Sequence, residues 1–426
     1  MLDAALAVGI FVALIFGPLA LGATEEWAIL FLEEGIVLLF LLWALRGFIA
    51  GRVELVSKPL LLPILLFAAL VGAQLLLHHT AYWYATWQKS LLWAGYVVLF
   101  FLTGQVFRSG DWLQRFGSAL TVFGFVVAMF AILQKFAGNG KIYWVLSNQG
   151  AGEFFGPYIN HAHYAGLMEM LVAFPLVLAM MSATSAPWRV LYSFAALIIG
   201  SSIFLSKSRG GVISFIVELT MLTLVFAQGQ RTLTRLRLWA GLVLLLVFCM
   251  LLVRPHGLWD RFIAVSDHAD KSHDENRLTM LEDSMHVIGK RPILGWGFGT
   301  FSVVYPQFRS FYTELTVNAA HDDFVELTVE TGLAGLMVAV WFLCLLYRVG
   351  MHAARNWRRD PRAAMALAAL VGCTGLVVHS FSDFNLQVPA NAAMFFAFAA
   401  VATARSQGEA QPQRQPTAVS EVEVSA

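Results

Sequence analysis

Long apolar runs, each ended by a short polar stretch, cover nearly the whole chain. They recur at roughly 4–22, 27–45, 60–77, 90–107, 117–136, 163–181, 188–206, 210–227, 238–253, 322–347, 363–381 and 386–404. A helix needs about 20 such residues to cross ~30 Å of hydrocarbon, so the pattern predicts about twelve transmembrane helices and an all-α, polytopic membrane protein. Between the ninth and tenth runs lies one long polar loop, roughly 254–320. Within it Leu278, Leu281, Met285 and Ile288 recur at three- and four-residue spacing, which predicts an amphipathic surface helix over 277–290. The glycine-rich stretch 289–299 predicts a tight loop where backbone can approach a ligand. Residues 1–405 read as one transmembrane catalytic domain, and the Gln-, Pro-, Glu- and Ser-rich tail 406–426 predicts disorder in the cytoplasm.

Composition agrees with this reading: 58% of residues are hydrophobic and 13% charged, against about a quarter charged in soluble domains. A net charge of +1, with no basic stripe interleaved with aromatics outside the predicted cytoplasmic loops, excludes nucleic acid as a partner. Cys249, Cys344 and Cys373 all fall within apolar runs and read as small buried hydrophobes rather than disulfide or zinc residues. The first run lacks a basic flank and a small-residue cleavage site, so it reads as a retained span. Arg46, Arg52, Arg108, Arg115, Arg189, Arg231, Arg235, Arg237 and the arginines of 348–362 all fall in short loops on one side. The positive-inside rule makes that side the cytoplasm, with both termini there and the long loop outside.

The chemistry-bearing residues then gather on the outer face. His321 stands where the polar loop meets the tenth run, followed by Asp322 and Asp323, with Glu326 and Glu330 on later turns. A histidine beside a carboxylate is a candidate general base at neutral pH; the two aspartates equally suit capping of the helix. In the reversal 206–211, Lys207 and Arg209 sit among Ser206, Ser208, Gly210 and Gly211. They suit an anion, or lipid headgroups reached by snorkelling. Arg277 opens the amphipathic segment and Arg291 lies in the glycine loop. Asn160, His161 and His163, beside Tyr158 and Tyr164, stand at a span entrance, where polar-ligand contact and structural hydrogen bonding are both open. The acidic stretch 267–275 matches no zinc or calcium spacing and reads as a solvated loop, so no metal site and no cofactor is expected.

Several pieces in this order resemble the O-antigen ligase and polymerase superfamily of membrane glycosyltransferases: Asn160, His161, His163 and Gly166; Ser206 to Gly211; Arg277; Pro292, Gly295, Trp296 and Gly297; His321, Glu330 and Gly332; and Asp383, Phe384, Asn385, Pro389 and Asn391. Asp322 stands where that family most often has Asn. The resemblance implies a GT-C-like helical fold in the bacterial inner membrane. It also implies transfer of a glycan from an undecaprenyl-diphosphate carrier to a glycan or lipid A-core acceptor on the outer face, without a metal. On that reading His321, Arg209 and Arg277 are catalytic, and Lys207, Arg291, Asn160, His161, His163, Asp322 and Asp323 bind substrate. A ligase and a polymerase would use the same site. A transporter of lipid-linked glycans is the alternative of another class, and would use ionisable residues near the midplane; Glu33, Glu34, Glu169 and Glu218 are the ones present in or near spans.

Overall fold

The computed structural model describes residues 2–53, 55, 59–147, 153–228, 232, 233, 240, 241, 268–312, 317 and 319–404. Among the described residues nine helices are long and apolar enough to cross a membrane: Leu2–Leu19, Glu26–Ile49, Trp83–Val106, Gly110–Ala137, His161–Met180, Ala186–Leu205, Arg209–Ala227, Asp323–Ala353 and Pro361–His379. Two shorter apolar helices, Leu61–Leu76 and Pro389–Ala402, take up two more of the expected runs. Most of the expected span 238–253, together with Arg231, Arg235, Arg237 and the tail 406–426, lies outside the described residues.

Polar side chains start several of these helices by satisfying amides that have no partner within the helix. Ser109 accepts from the Trp112 amide, Asn160 from Ala162, Ser208 from Gly211, and Asp360 from Arg362. Hydrocarbon favours apolar side chains on all faces, so periodicity does not say which helix is central. Burial does: His161–Met180 and Pro361–His379 bury 89% and 83% of their most apolar stretch, against 22% for Glu26–Ile49. Two helices therefore form the middle of the bundle, and the N-terminal pair lies at its periphery.

The bundle has two chemically distinct ends. At one, Arg358 donates from Nη2 to the Phe226 carbonyl at 2.6 Å and from Nη1 to that of Gln228 at 3.3 Å. The helix Arg209–Ala227 thus finishes against the arginine-rich segment 348–362. The same helix begins at the other end, which its 19 residues put roughly 28 Å away. There the turn 206–211, the start of His161–Met180, residues 319–323 and the segment 379–389 come together.

The described part of the long loop is more structured than its composition suggests. Helix His268–Lys290 covers most of the acidic stretch expected as a loop, a correction to that expectation. Met280 and Val287 pack with Phe301, Val304, Tyr305 and Val329 into a small second core, while Leu278, Leu281 and Met285 stay exposed. The helix is amphipathic as expected, but most of its expected apolar stripe faces away from the protein. At Gly295 the glycine loop approaches protein backbone closely. A side chain at Gly295 would strike Glu330 and Thr331, and one at Gly332 would strike Ile293. Gln74 secures this junction, donating to the carbonyls of Leu294 at 2.7 Å and Glu330 at 2.9 Å and accepting from the Phe298 amide at 3.0 Å. The run Asp323–Ala353 is consequently broken at Gly332 (φ 65°, ψ −170°), so a short polar helix precedes the spanning one.

Candidate active site

The site is assembled on the segment that follows helix Pro361–His379. Asp323 fastens this segment to the start of its own helix: its amide donates to the Ser380 carbonyl at 2.9 Å, and its Oδ2 accepts from Ser380 Oγ at 2.7 Å and the Leu386 amide at 2.9 Å. His321, two residues earlier, is thereby brought against Asp383. Its Nδ1 lies 3.4 Å from Asp383 Oδ1, and its backbone takes a left-handed φ of 53°, uncommon for a residue with a Cβ. Asp383 is buried. Burial alone would raise its pKa, but the hydrogen bond from His321 and the nearby rings of His163 and His379 hold the carboxyl well below the ordinary carboxylate range.

His163 stands on the other side of Asp383, with Nε2 3.9 Å from Oδ2. Phe384 meets both rings edge-on, its centroid 4.6 Å from that of His163 and 5.1 Å from that of His321. Behind them Asn391 donates to the His163 carbonyl at 2.9 Å and to Asn385 Oδ1 at 3.0 Å, and accepts from the Tyr158 hydroxyl at 2.8 Å. The 206–211 turn reaches the same place. Ser208 Oγ lies 3.4 Å from His379 Nε2, and a side chain at Gly210 would meet both Ser382 and His379. Lys207 and Arg209 are half-buried on this turn, on either side of Ser208.

Other expected residues lie apart from the His321–Asp383 contact. Asp322 caps its helix, Oδ1 accepting from the amides of Phe324 at 2.9 Å and Val325 at 3.0 Å; burial raises its pKa and those two amides partly offset the rise. Glu326 Oε2 accepts from the Ala320 amide at 2.9 Å and Glu330 Oε1 from that of Phe301 at 3.1 Å, so both tie the loop down. Asn160 caps the helix that carries His163, and His161 Nδ1 lies 3.1 Å from the Glu153 carbonyl oxygen. Arg291 lies over the Trp296 ring, 4.2 Å from its centroid, and Arg277 is exposed on helix His268–Lys290. Among the described residues no hydrogen bond or ion pair joins either arginine to the His321 group, and no set of three His, Cys, Asp or Glu is placed to hold a metal ion.

The residues that sequence reasoning left without a role are Asp383, His379 and Glu169. Local pattern gives no hint that Asp383 serves His321, because the two are far apart in the chain; an ionisable Glu169 inside an apolar run was the available signal.

Comparison with curated proteins finds no match. The O-antigen ligase family model matches residues 194–340, a stretch that takes in the 206–211 turn, helix His268–Lys290, the glycine loop and His321. Members of that family work as ligases or polymerases in surface polysaccharide synthesis. Residues 194–340 are thus similar to the O-antigen ligase family, on an all-α multi-pass membrane scaffold.

Proposed function

We propose that this protein is a metal-independent glycosyltransferase. It moves a glycan from an undecaprenyl-diphosphate carrier to an acceptor hydroxyl at the outer face of the bacterial inner membrane, both termini being cytoplasmic and residues 1–405 forming one catalytic domain. The observation that carries this reading is the buried Asp383 carboxyl against His321 Nδ1, beside the cationic turn that bears Arg209. With Nδ1–H donating to Asp383, His321 Nε2 is the free base. It takes the proton of the acceptor hydroxyl as that oxygen bonds to the anomeric carbon. The bond from that carbon to the phosphate oxygen breaks, and the diphosphate leaves with the electron pair. Arg209 stabilises the charge developing there, aided by Lys207, since guanidinium stays protonated and pairs with two oxygens at once. Arg277 and Arg291 act from the long loop on the bound donor, and Asn160, His161, His163, Asp322 and Asp323 shape the substrate-binding surface. A single displacement inverts the anomeric carbon.

Ligation to a lipid A-core or other glycan acceptor is the reading put to the test, and polymerisation at the same site is its alternative. Purified protein in bilayers, given a lipid-linked oligosaccharide and an acceptor glycolipid with chelator present, should release polyprenyl diphosphate and form an inverted linkage. Absence of transfer from any lipid-linked donor refutes the transferase reading. Activity that chelator abolishes and a divalent ion restores refutes metal independence. Deletion of the gene should leave long polymer unanchored; single-repeat products would mean a polymerase instead.

A further inference from the structure

Beneath the 206–211 turn lies a buried ionisable pair that the proposed chemistry does not use. Glu169, from helix His161–Met180, and His379, closing Pro361–His379, are both fully enclosed. His379 Nδ1 lies 3.0 Å from Glu169 Oε1, and its Nε2 lies 3.4 Å from Ser208 Oγ. The pairing assigns the ring proton to Nδ1, which donates to the carboxyl, and leaves Nε2 to accept from the Ser208 hydroxyl. Ser208 Oγ in turn accepts from the Gly211 amide at 3.0 Å, which caps the helix whose first residue is Arg209. Carboxyl, imidazole, hydroxyl and helix start thus form one connected line from the bundle centre to the backbone that carries Arg209.

Two further observations show that the turn depends on this support. Lys207 is held at φ 63°, in the left-handed region that a side chain with Cβ avoids, so the turn stores strain that its surroundings must offset. The turn also rests directly on the pair: a Cβ at Gly210 would fall 2.6 Å from His379 Cδ2, and one at Gly211 would fall 3.0 Å from Glu169 Oε1. A polar pair inside a membrane bundle costs stability unless it is partnered, and marks function more often than packing. Here the pair is spent on the conformation of one turn.

We propose that Glu169 and His379 are positioning residues for Arg209: acting through Ser208, they fix the 206–211 turn so that the guanidinium meets the donor diphosphate. This rests on the transferase reading above. The test uses the full-length protein, with donor KM and kcat measured for His379→Asn, His379→Gln and Glu169→Leu, each alone and combined with Arg209→Ala. Asn keeps a donor towards Glu169 but loses the atom that accepts from Ser208, whereas Gln can reach Ser208. His379→Asn and Glu169→Leu should each lower kcat/KM by roughly tenfold or more, since small misplacements of a binding group are costly. His379→Gln should recover most of that loss. In the Arg209→Ala background the same substitutions should cost nothing further, because the interaction they support is already gone. Equal losses in both backgrounds, or Gln no better than Asn, would overturn the proposal. The same cycle read as binding of inorganic pyrophosphate needs no transfer activity. Pyrophosphate bound in an Arg209- and His379-dependent way by a protein that transfers nothing refutes the transferase reading alone; pyrophosphate binding that ignores His379 refutes the positioning role.

Discussion

A histidine at a membrane surface is an ambiguous base, because either ring nitrogen can carry the proton. Asp383 removes the ambiguity for His321 by engaging Nδ1 at 3.4 Å, and it is itself buried and held below the ordinary carboxylate range. Asp383→Asn should therefore lower turnover by roughly 10² to 10⁴, the range expected when a base loses its tautomer and the partner for its charged form. The same group makes a pH prediction. A carboxyl whose folded pKa is depressed contributes stability that is fully present above its unfolded value and is lost as pH falls through the folded one. The Tm difference between wild type and Asp383→Asn should stay constant from pH 7 to about 5 and shrink only below about pH 4. A difference that disappears between pH 7 and 6 would show that Asp383 is not the ionised partner described.

At the scale of elements, the decisive joint is where the glycine loop crosses the broken helix Asp323–Ala353. Gly332 has φ 65° and faces the Ile293 carbonyl, so Gly332→Ala meets both backbone strain and a clash. It should destabilise the protein by about 2 kcal/mol or more, read as a lowered Tm together with lost transfer, because the same short helix starts directly after His321 and Asp322. Unchanged Tm would contradict the joint. The spans were legible in the sequence because hydrocarbon imposes long apolar runs whatever the fold. The break at Gly332 and the early start of helix His268–Lys290 were less so: one depends on a backbone contact distant in sequence, the other on polar residues that carry no apolar period. Site residues divide in the same way. His321 and Arg209 stand out because charge is rare in such a chain, and the capping that the position of Asp322 suggested is seen in its contacts with the Phe324 and Val325 amides. The service of Asp383 to His321 is set by the Asp323–Ser380 clasp, which no local pattern records.

At the scale of the molecule, the arginine-rich end and the histidine end are separated by the length of a span, so the orientation in the bilayer determines which compartment holds the chemistry. Reporter fusions after Arg358 should read cytoplasmic and fusions near His268 external; a cytoplasmic signal at His268 would place the site on the wrong face for an outer-leaflet transfer. The central claim, that His321 is the base for attack on a diphosphate-linked glycan, is tested most directly by one comparison. Wild type and His321→Ala are purified in bilayers and followed in a single turnover with saturating lipid-linked donor and acceptor. The account predicts that His321→Ala binds donor with wild-type affinity while its rate of transfer falls by about 10² or more. A normal transfer rate in His321→Ala would contradict the mechanism.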